Sequence, residues 1–136
     1  MKIIFAFLIA FAMSSDATSM GEGKLAGLAK IYYVPIGAET YVPVNEDNIE
    51  DGYVRSTKTD ISGREFAALM ALIHTAKAGP FKNDNVRVKI VFPDASVIYI
   101  DNNGGIKRSS TQRMLNSVSL GKLKDVLERI TILRKK

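Results

Sequence analysis

Residues 86–104 read VRVKIVFPDASVIYIDNNG, two apolar runs separated by a proline-containing turn. The first run alternates valine or isoleucine with arginine and lysine, which is the period of a half-buried strand. The turn at residues 93–96 leads into a returning strand over Val97–Ile100. Asn103-Gly104 then favours a type I′ hairpin turn, in which both central residues have positive φ. These residues therefore predict an antiparallel meander.

Further extended segments lie on both sides of this meander. After it, Ile106–Ser110 predicts a third, more polar strand at an edge of the sheet. Before it, Lys30–Ile36 is aromatic and β-branched, and its proline favours an edge position. Glu39–Val44 and Tyr53–Lys58 predict shorter extended pieces around an acidic loop.

Two amphipathic helices complete the pattern. Ser62 and Glu65 form a capping box, and apolar residues then recur at helical spacing until Gly79-Pro80, so the helix is expected to end at about Ala78. A second helix is predicted from about Leu120 to Ile132, with Ser119 as its N-cap.

These elements predict an α+β fold with an antiparallel sheet of about four or five strands and two amphipathic helices packed on one face. The other sheet face would then be available to water or to a partner. The chain shows no internal repeat and no second region of distinct composition, and residues 30–133 are expected to form one domain.

The first seventeen residues have the pattern of a cleaved signal peptide. Lys2 precedes an unbroken apolar run, Ile3–Met13, and small residues follow up to Ala17, after which we expect cleavage. The alternative is a retained membrane anchor, but spanning a bilayer needs roughly 20 apolar residues, which is more than this run has. We therefore expect cleavage and no stable membrane insertion after it. Residues 18–29 would be a flexible mature N-terminus, and residues 134–136 a basic tail.

The amino-acid composition limits the compartment and the partners expected for an exported protein. The chain has no cysteine, which excludes disulfides and a lipid-anchored cysteine and favours a bacterial periplasmic or secreted protein. The net charge of +5 is spread along the chain among acidic residues. A positive net charge can indicate nucleic-acid binding, but an exported protein leaves the compartment that contains nucleic acid. We therefore do not expect nucleic acid to be the partner.

Candidate catalytic residues are few. His74 is the single histidine, and no acid or nucleophile points the same way from the neighbouring helical turns. Ser119 and Lys122 match Ser-x-x-Lys, but the companion motifs of that catalytic class are missing. The loop after Asp101 lacks the glutamate of a calcium-binding loop. The chain is therefore expected to be no enzyme and to use no cofactor and no metal.

What remains is a binding protein, with a periplasmic inhibitor or immunity protein that blocks a toxin or cell-wall enzyme as the leading hypothesis. Contact is expected from exposed tyrosines, the acidic loop and the hairpin tip, namely Tyr41, Glu46, Asp47, Asp51, Tyr53, Arg55, Asn102 and Asn103. The alternative is a small envelope hydrolase or a ligand- or lipid-binding protein, in which Ser119, Lys122 or His74 would converge. A homodimer could form along an open edge strand at Lys30–Ile36.

Overall fold

The computed structural model describes residues 29–61 and 63–135, with side chains up to Thr131. The expected signal peptide at residues 1–17, most of the mature N-terminus and the capping residue Ser62 lie outside these residues. The elements are β1 (Ala29–Tyr33), β2 (Thr57–Ile61), α1 (Gly63–Ile73), β3 (Lys77–Ala78), β4 (Val86–Val91), β5 (Val97–Asp101), β6 (Gly105–Arg108), β7 (Thr111–Met114) and α2 (Ser117–Lys135).

All strands join one antiparallel sheet in the order β2-β1-β4-β5-β6-β7-β3. The α+β class and the antiparallel sheet are confirmed, but the expected strand number was too low, because the described residues already form a sheet of seven strands. Two predicted edge strands are interior. β1 pairs with both β2 and β4, and β6 pairs with both β5 and β7. The edges are instead β2 and the two-residue β3.

One face of the sheet carries the main core. Isoleucine and valine side chains from the central strands pack there against both helices, whose buried residues include Leu69, Ile73, Leu123, Leu127 and Ile130. Cross-strand partners such as Ile31 and Ile90 share this face. Within residues 29–61 and 63–135, no helix is long and apolar enough to cross a bilayer.

Both helices differ at their ends from the sequence prediction. α1 ends at Ile73, because the Thr75 hydroxyl and amide both donate to the carbonyl of Leu72, at 2.7 and 3.0 Å. α2 begins at Ser117, and its N-cap is Asn116, whose Oδ1 accepts a 2.8 Å hydrogen bond from the amide of Ser119. Ser119 is thus the third residue of the helix and not its cap.

The hairpin between β5 and β6 also differs in detail. Gly104 has φ of 95°, but Asn103 does not have positive φ, so the predicted type I′ turn is wrong. Asp101, which is 1% exposed, organises this turn by accepting hydrogen bonds of 2.8 Å from the amides of Asn103, Gly105 and Lys82.

The second face of the sheet carries a row of paired side chains, one from each strand except β3. In register order they are Lys58, Tyr32, Lys89, Tyr99, Lys107 and Gln112, and we call them the lysine–tyrosine row. Lys89 lies 5.9 and 5.8 Å from the ring centroids of its two tyrosine neighbours, which is within cation–π range.

This second face, which the sequence suggested would be open, is covered in part, while Lys58 and Gln112 at its two sides stay exposed. The chain between β1 and β2, residues 34–56, folds over part of it, and we call this segment the β1–β2 connection. Its Val44 and Ile49 are fully buried in a second apolar cluster with Val34 and Val86. A connection longer than about 12–15 residues is uncommon in a compact domain and is usually functional, which directs attention to this segment.

Candidate binding groove

The β1–β2 connection contains a surface groove of about 600 Å³. Two parts of the connection form its walls, the chain leaving β1 and the chain entering β2. Its lining residues are Val34, Pro35, Ala38, Glu39, Thr40, Tyr41, Val42, Val44, Tyr53, Val54 and Arg55. The two walls meet because Tyr33 and Thr57, at the ends of the connection, are direct partners in the sheet.

Side-chain amides fix the middle of the connection. Asn45 Oδ1 accepts hydrogen bonds from the amides of Asp47 and Asn48, at 2.8 and 3.0 Å. Asn48 Oδ1 in turn accepts a 2.8 Å hydrogen bond from the Asn45 amide, and Asn48 Nδ2 donates one of 2.9 Å to the carbonyl of Pro43. The Ser56 hydroxyl donates to the carbonyl of Ile49 at 2.8 Å. These bonds fix the turn that joins the two walls.

Two ion pairs join the connection to the lysine–tyrosine row. Lys107 donates to Glu46 at 2.8 Å, and Lys89 donates to Glu50. The hydrogen bond from Lys89 holds the pKa of the Glu50 carboxyl below its ordinary value. Burial alone would lower the pKa of Lys89, but the hydrogen bond and charge of Glu50, together with the two neighbouring tyrosines, raise it. Both shifts show that this contact favours the charged forms.

A buried arginine supports the wall nearest β1. The pairing of β4 with β5 shifts between Val86 and Val88, and Arg87 is the extra residue at this β-bulge. Its guanidinium donates to the carbonyls of Val86 and Ala38, at 3.1 and 3.0 Å, while Nε has no partner. The side chain is only 4% exposed, and burial lowers its pKa. Arg87 therefore fixes Ala38 and leaves a positive charge beneath the groove.

Exposed apolar side chains concentrate at this groove. Within the described part of the chain, four large apolar side chains are exposed, and three of them, Tyr41, Val42 and Tyr53, line it. Tyr41 is fully exposed and Tyr53 is 60% exposed. Arg55 beside them has a left-handed backbone, with φ of 62°, which a non-glycine residue rarely adopts. Such strain is commonest where function requires a particular orientation.

The predicted contact residues fall into three groups. Tyr41, Tyr53 and Arg55 come together in the groove. Asn102 and Glu46 hold the connection from outside the groove, since Asn102 Oδ1 accepts a 2.7 Å bond from the amide of Gly37 and Glu46 pairs with Lys107. Three others, Asp47, Asp51 and Asn103, are exposed and do not line the groove.

Sequence reasoning missed Val42 and Arg87. The dipeptide Tyr41-Val42 followed by proline was a usable signal for an extended, exposed apolar pair. Arg87 sat within a strand of period two and gave no sign of the bulge that redirects it. Only long-range packing brings it to Ala38, so that it supports the groove wall.

The residues considered for catalysis do not assemble. His74 is exposed and lines a different cleft, whose lining includes neither Ser119 nor Lys122. The hydroxyl oxygens of Ser119 and Thr75 lie 3.4 Å apart. Among the residues that the structure describes, no group of three acidic or histidine side chains is placed to hold a metal ion.

No protein-family model matches the chain, and no curated protein and no solved structure matches it either. Its function is therefore inferred from the chemistry of the groove.

Proposed function

We propose that this chain is an exported, non-catalytic binding protein that holds a protein partner in the groove of the β1–β2 connection. The observation that carries the proposal is the concentration of three exposed apolar side chains, Tyr41, Val42 and Tyr53, around one groove. Tyrosine and arginine are enriched at protein interfaces and supply much of the binding energy there. The groove offers both residue types within one lining.

The rigidity of the groove supports this role. Two ion pairs and the buried Ile49 hold the connection against the sheet, and the amide network around Asn45 and Asn48 fixes its internal shape. A preformed surface loses little conformational entropy on binding, which favours affinity. An inhibitor that blocks an enzyme needs such a surface, because its contact segment must not be drawn into the active site as a flexible substrate.

The expected cellular compartment limits the kinds of protein that this chain can bind. The apolar run Ile3–Met13 and the small residues up to Ala17 support export, and the lack of cysteine favours a bacterial periplasmic or secreted setting. The partner that we propose is a toxin or a cell-wall enzyme that the chain neutralises. Export is tested separately by cell fractionation and by the mass of the mature protein, which should lack the first seventeen residues.

The binding test uses purified mature protein and the purified toxin or cell-wall hydrolase encoded beside it. Calorimetry should give saturable binding, and the hydrolase should lose activity as the complex forms. Tyr41→Ala and Tyr53→Ala should each weaken binding by roughly tenfold or more, as removal of interface hot spots does. Val118→Ala is the matched control, because Val118 is a large apolar residue that is exposed and lies outside the groove.

Two results would overturn the proposal. One is the absence of saturable binding to any such enzyme while the protein remains folded by circular dichroism. The other is an equal loss of affinity in Val118→Ala, which would indicate general surface stickiness and not the groove.

A further inference from the structure

A second cleft lies on the helix-covered side of the sheet, near the end of α1. It has a volume of about 410 Å³ and is lined by Ile73, His74, Ile98, Ile106, Arg108, Thr111 and Arg113. The register explains why these strand residues meet, since Arg108 is opposite both Ile98 and Thr111, and Ile106 is opposite Arg113. They therefore share the sheet face that the helices cover.

The end of α1 borders this cleft, since Ile73 and His74 line it. If the helix continued to Ala78, as the sequence suggested, another turn would extend beyond Ile73 on the covered face. Instead the chain turns after Ile73 and runs to the edge strand β3. Three isoleucines lie at the base of the cleft as its apolar floor, and the protein covers most of each side chain, since Ile98, Ile106 and Ile73 are 1%, 4% and 7% exposed.

Cationic side chains surround this floor. Arg108 and Arg113 are both exposed, and no aspartate or glutamate lines the cleft. Arg108 lies 5.5 Å from the ring centroid of Phe92, and Arg113 donates a 3.4 Å hydrogen bond to the carbonyl of Ala76. These contacts restrain the two arginines and leave most of their guanidinium donors unused. The exposed Asp94 lies outside the lining, and its pKa is lowered mainly by Ser96 and only weakly by Arg108.

We propose that this cleft binds a small amphiphilic carboxylate, with its apolar chain on the isoleucine floor and its carboxylate between Arg108 and Arg113. Guanidinium groups bind carboxylates through paired, charge-assisted hydrogen bonds, and ligand clefts are typically about 300–1,000 Å³ with an apolar lining and a few polar groups. The site is separate from the Tyr41 groove and does not depend on the partner proposed there.

Octanoate is the probe. Octanol, which lacks the carboxylate charge, and acetate, which lacks the long apolar chain, are the matched compounds. Titration by calorimetry should show saturable octanoate binding, and the methyl resonances of Ile98 and Ile106 should shift with it. Octanol and acetate should each bind at least about tenfold more weakly, because each loses one half of the contact.

Variants locate the carboxylate. Arg108→Gln and Arg113→Gln should each weaken octanoate binding by roughly tenfold, while Arg129→Gln, at an exposed arginine outside the cleft lining, should leave it unchanged. Circular dichroism confirms that the variants are folded, and the three-compound series on the unaltered protein tests the site without any substitution.

Each opposite result overturns the proposal. Equal binding of acetate would mean a charged surface without a cleft, and equal binding of octanol would mean that the arginines do not hold a head group. An equal loss in Arg129→Gln, or octanoate binding without shifts at Ile98 and Ile106, would place the interaction elsewhere.

Discussion

The Nζ atom of Lys107 on β6 lies 2.8 Å from Oε2 of Glu46, which precedes it by 61 residues. Together with the Lys89–Glu50 pair, this contact holds the β1–β2 connection on the lysine–tyrosine row. The two pairs lie at separate points of the connection, so both resist its lifting from the sheet. They support the segment that forms the groove, although neither glutamate lines it.

Removing both carboxylates should loosen the connection and leave the core intact. For Glu46→Gln combined with Glu50→Gln, we expect a loss of about 0.5–2 kcal/mol in the free energy of unfolding, since partly exposed pairs contribute little each. Hydrogen exchange should accelerate mainly within residues 45–56. Glu39→Gln, at an exposed position of the same connection, is the control. Uniform acceleration through β4 and β5 would contradict a local role.

The Glu50 pair should also make stability depend on pH on the acid side. Because the folded pKa of Glu50 lies below its ordinary value of 4.5, its contribution is present above that value and disappears as the pH falls through the folded pKa. Urea unfolding of the wild type and of Glu50→Gln should therefore differ at neutral pH and converge in acid. A constant difference would show that the carboxylate charge is not involved.

Gly105 should not tolerate a side chain. A Cβ there would overlap the Asp101 carboxylate and lie 2.5 Å from the carbonyl of Pro80. Gly105→Ala should lower the free energy of unfolding by about 2–4 kcal/mol, as overpacking beside a buried hydrogen-bonded group does. Gly121→Ala is the opposite case, because its Cβ meets nothing within 4 Å and alanine favours the helix by about 0.5–1 kcal/mol. Denaturant unfolding measures the free energy of unfolding of both variants. Equal changes in the two would contradict a steric clash at Gly105.

The start of α2 offers a test between two candidate caps. Asn116→Ala should cost about 1 kcal/mol, because it removes the acceptor for the Ser119 amide. Ser119→Ala should change stability by no more than about 0.5 kcal/mol, since Ser119 is within the helix and half-exposed. Thermal unfolding compares the stability lost by the two variants. A larger loss in Ser119→Ala would indicate that Ser119 is the N-cap.

The fold was predictable where one face of an element is apolar. β4 and β5 have that pattern, and so does the part of α1 that carries Leu69 and Ile73. β7 was missed because Thr111–Met114 is polar and exposed, and only its pairing with β6 and β3 makes it a strand. α1 ended before Ala78 because the Thr75 hydroxyl competes for the helix carbonyls, a local effect that hydrophobic periodicity does not detect.

For the groove, the sequence predicted which residue types would make contact but not that these residues lie together. Tyr41, Tyr53 and Arg55 stood out as interface chemistry, but their convergence depends on the pairing of Tyr33 with Thr57 and on Ile49 packing over the sheet. Both are contacts between segments distant in sequence. Arg87 could not be found because the bulge that redirects it exists only in the assembled sheet.

The strand order has a consequence for the time at which the protein can fold. β1 needs β4 as its inner neighbour, and β3 pairs only with β7, at the contact of Lys77 with Met114. Within the described residues, the first half of the chain has the β1–β2 pair and α1, whereas the inner strands β4 and β5 come later. The core can therefore be completed only once the second half of the chain is present.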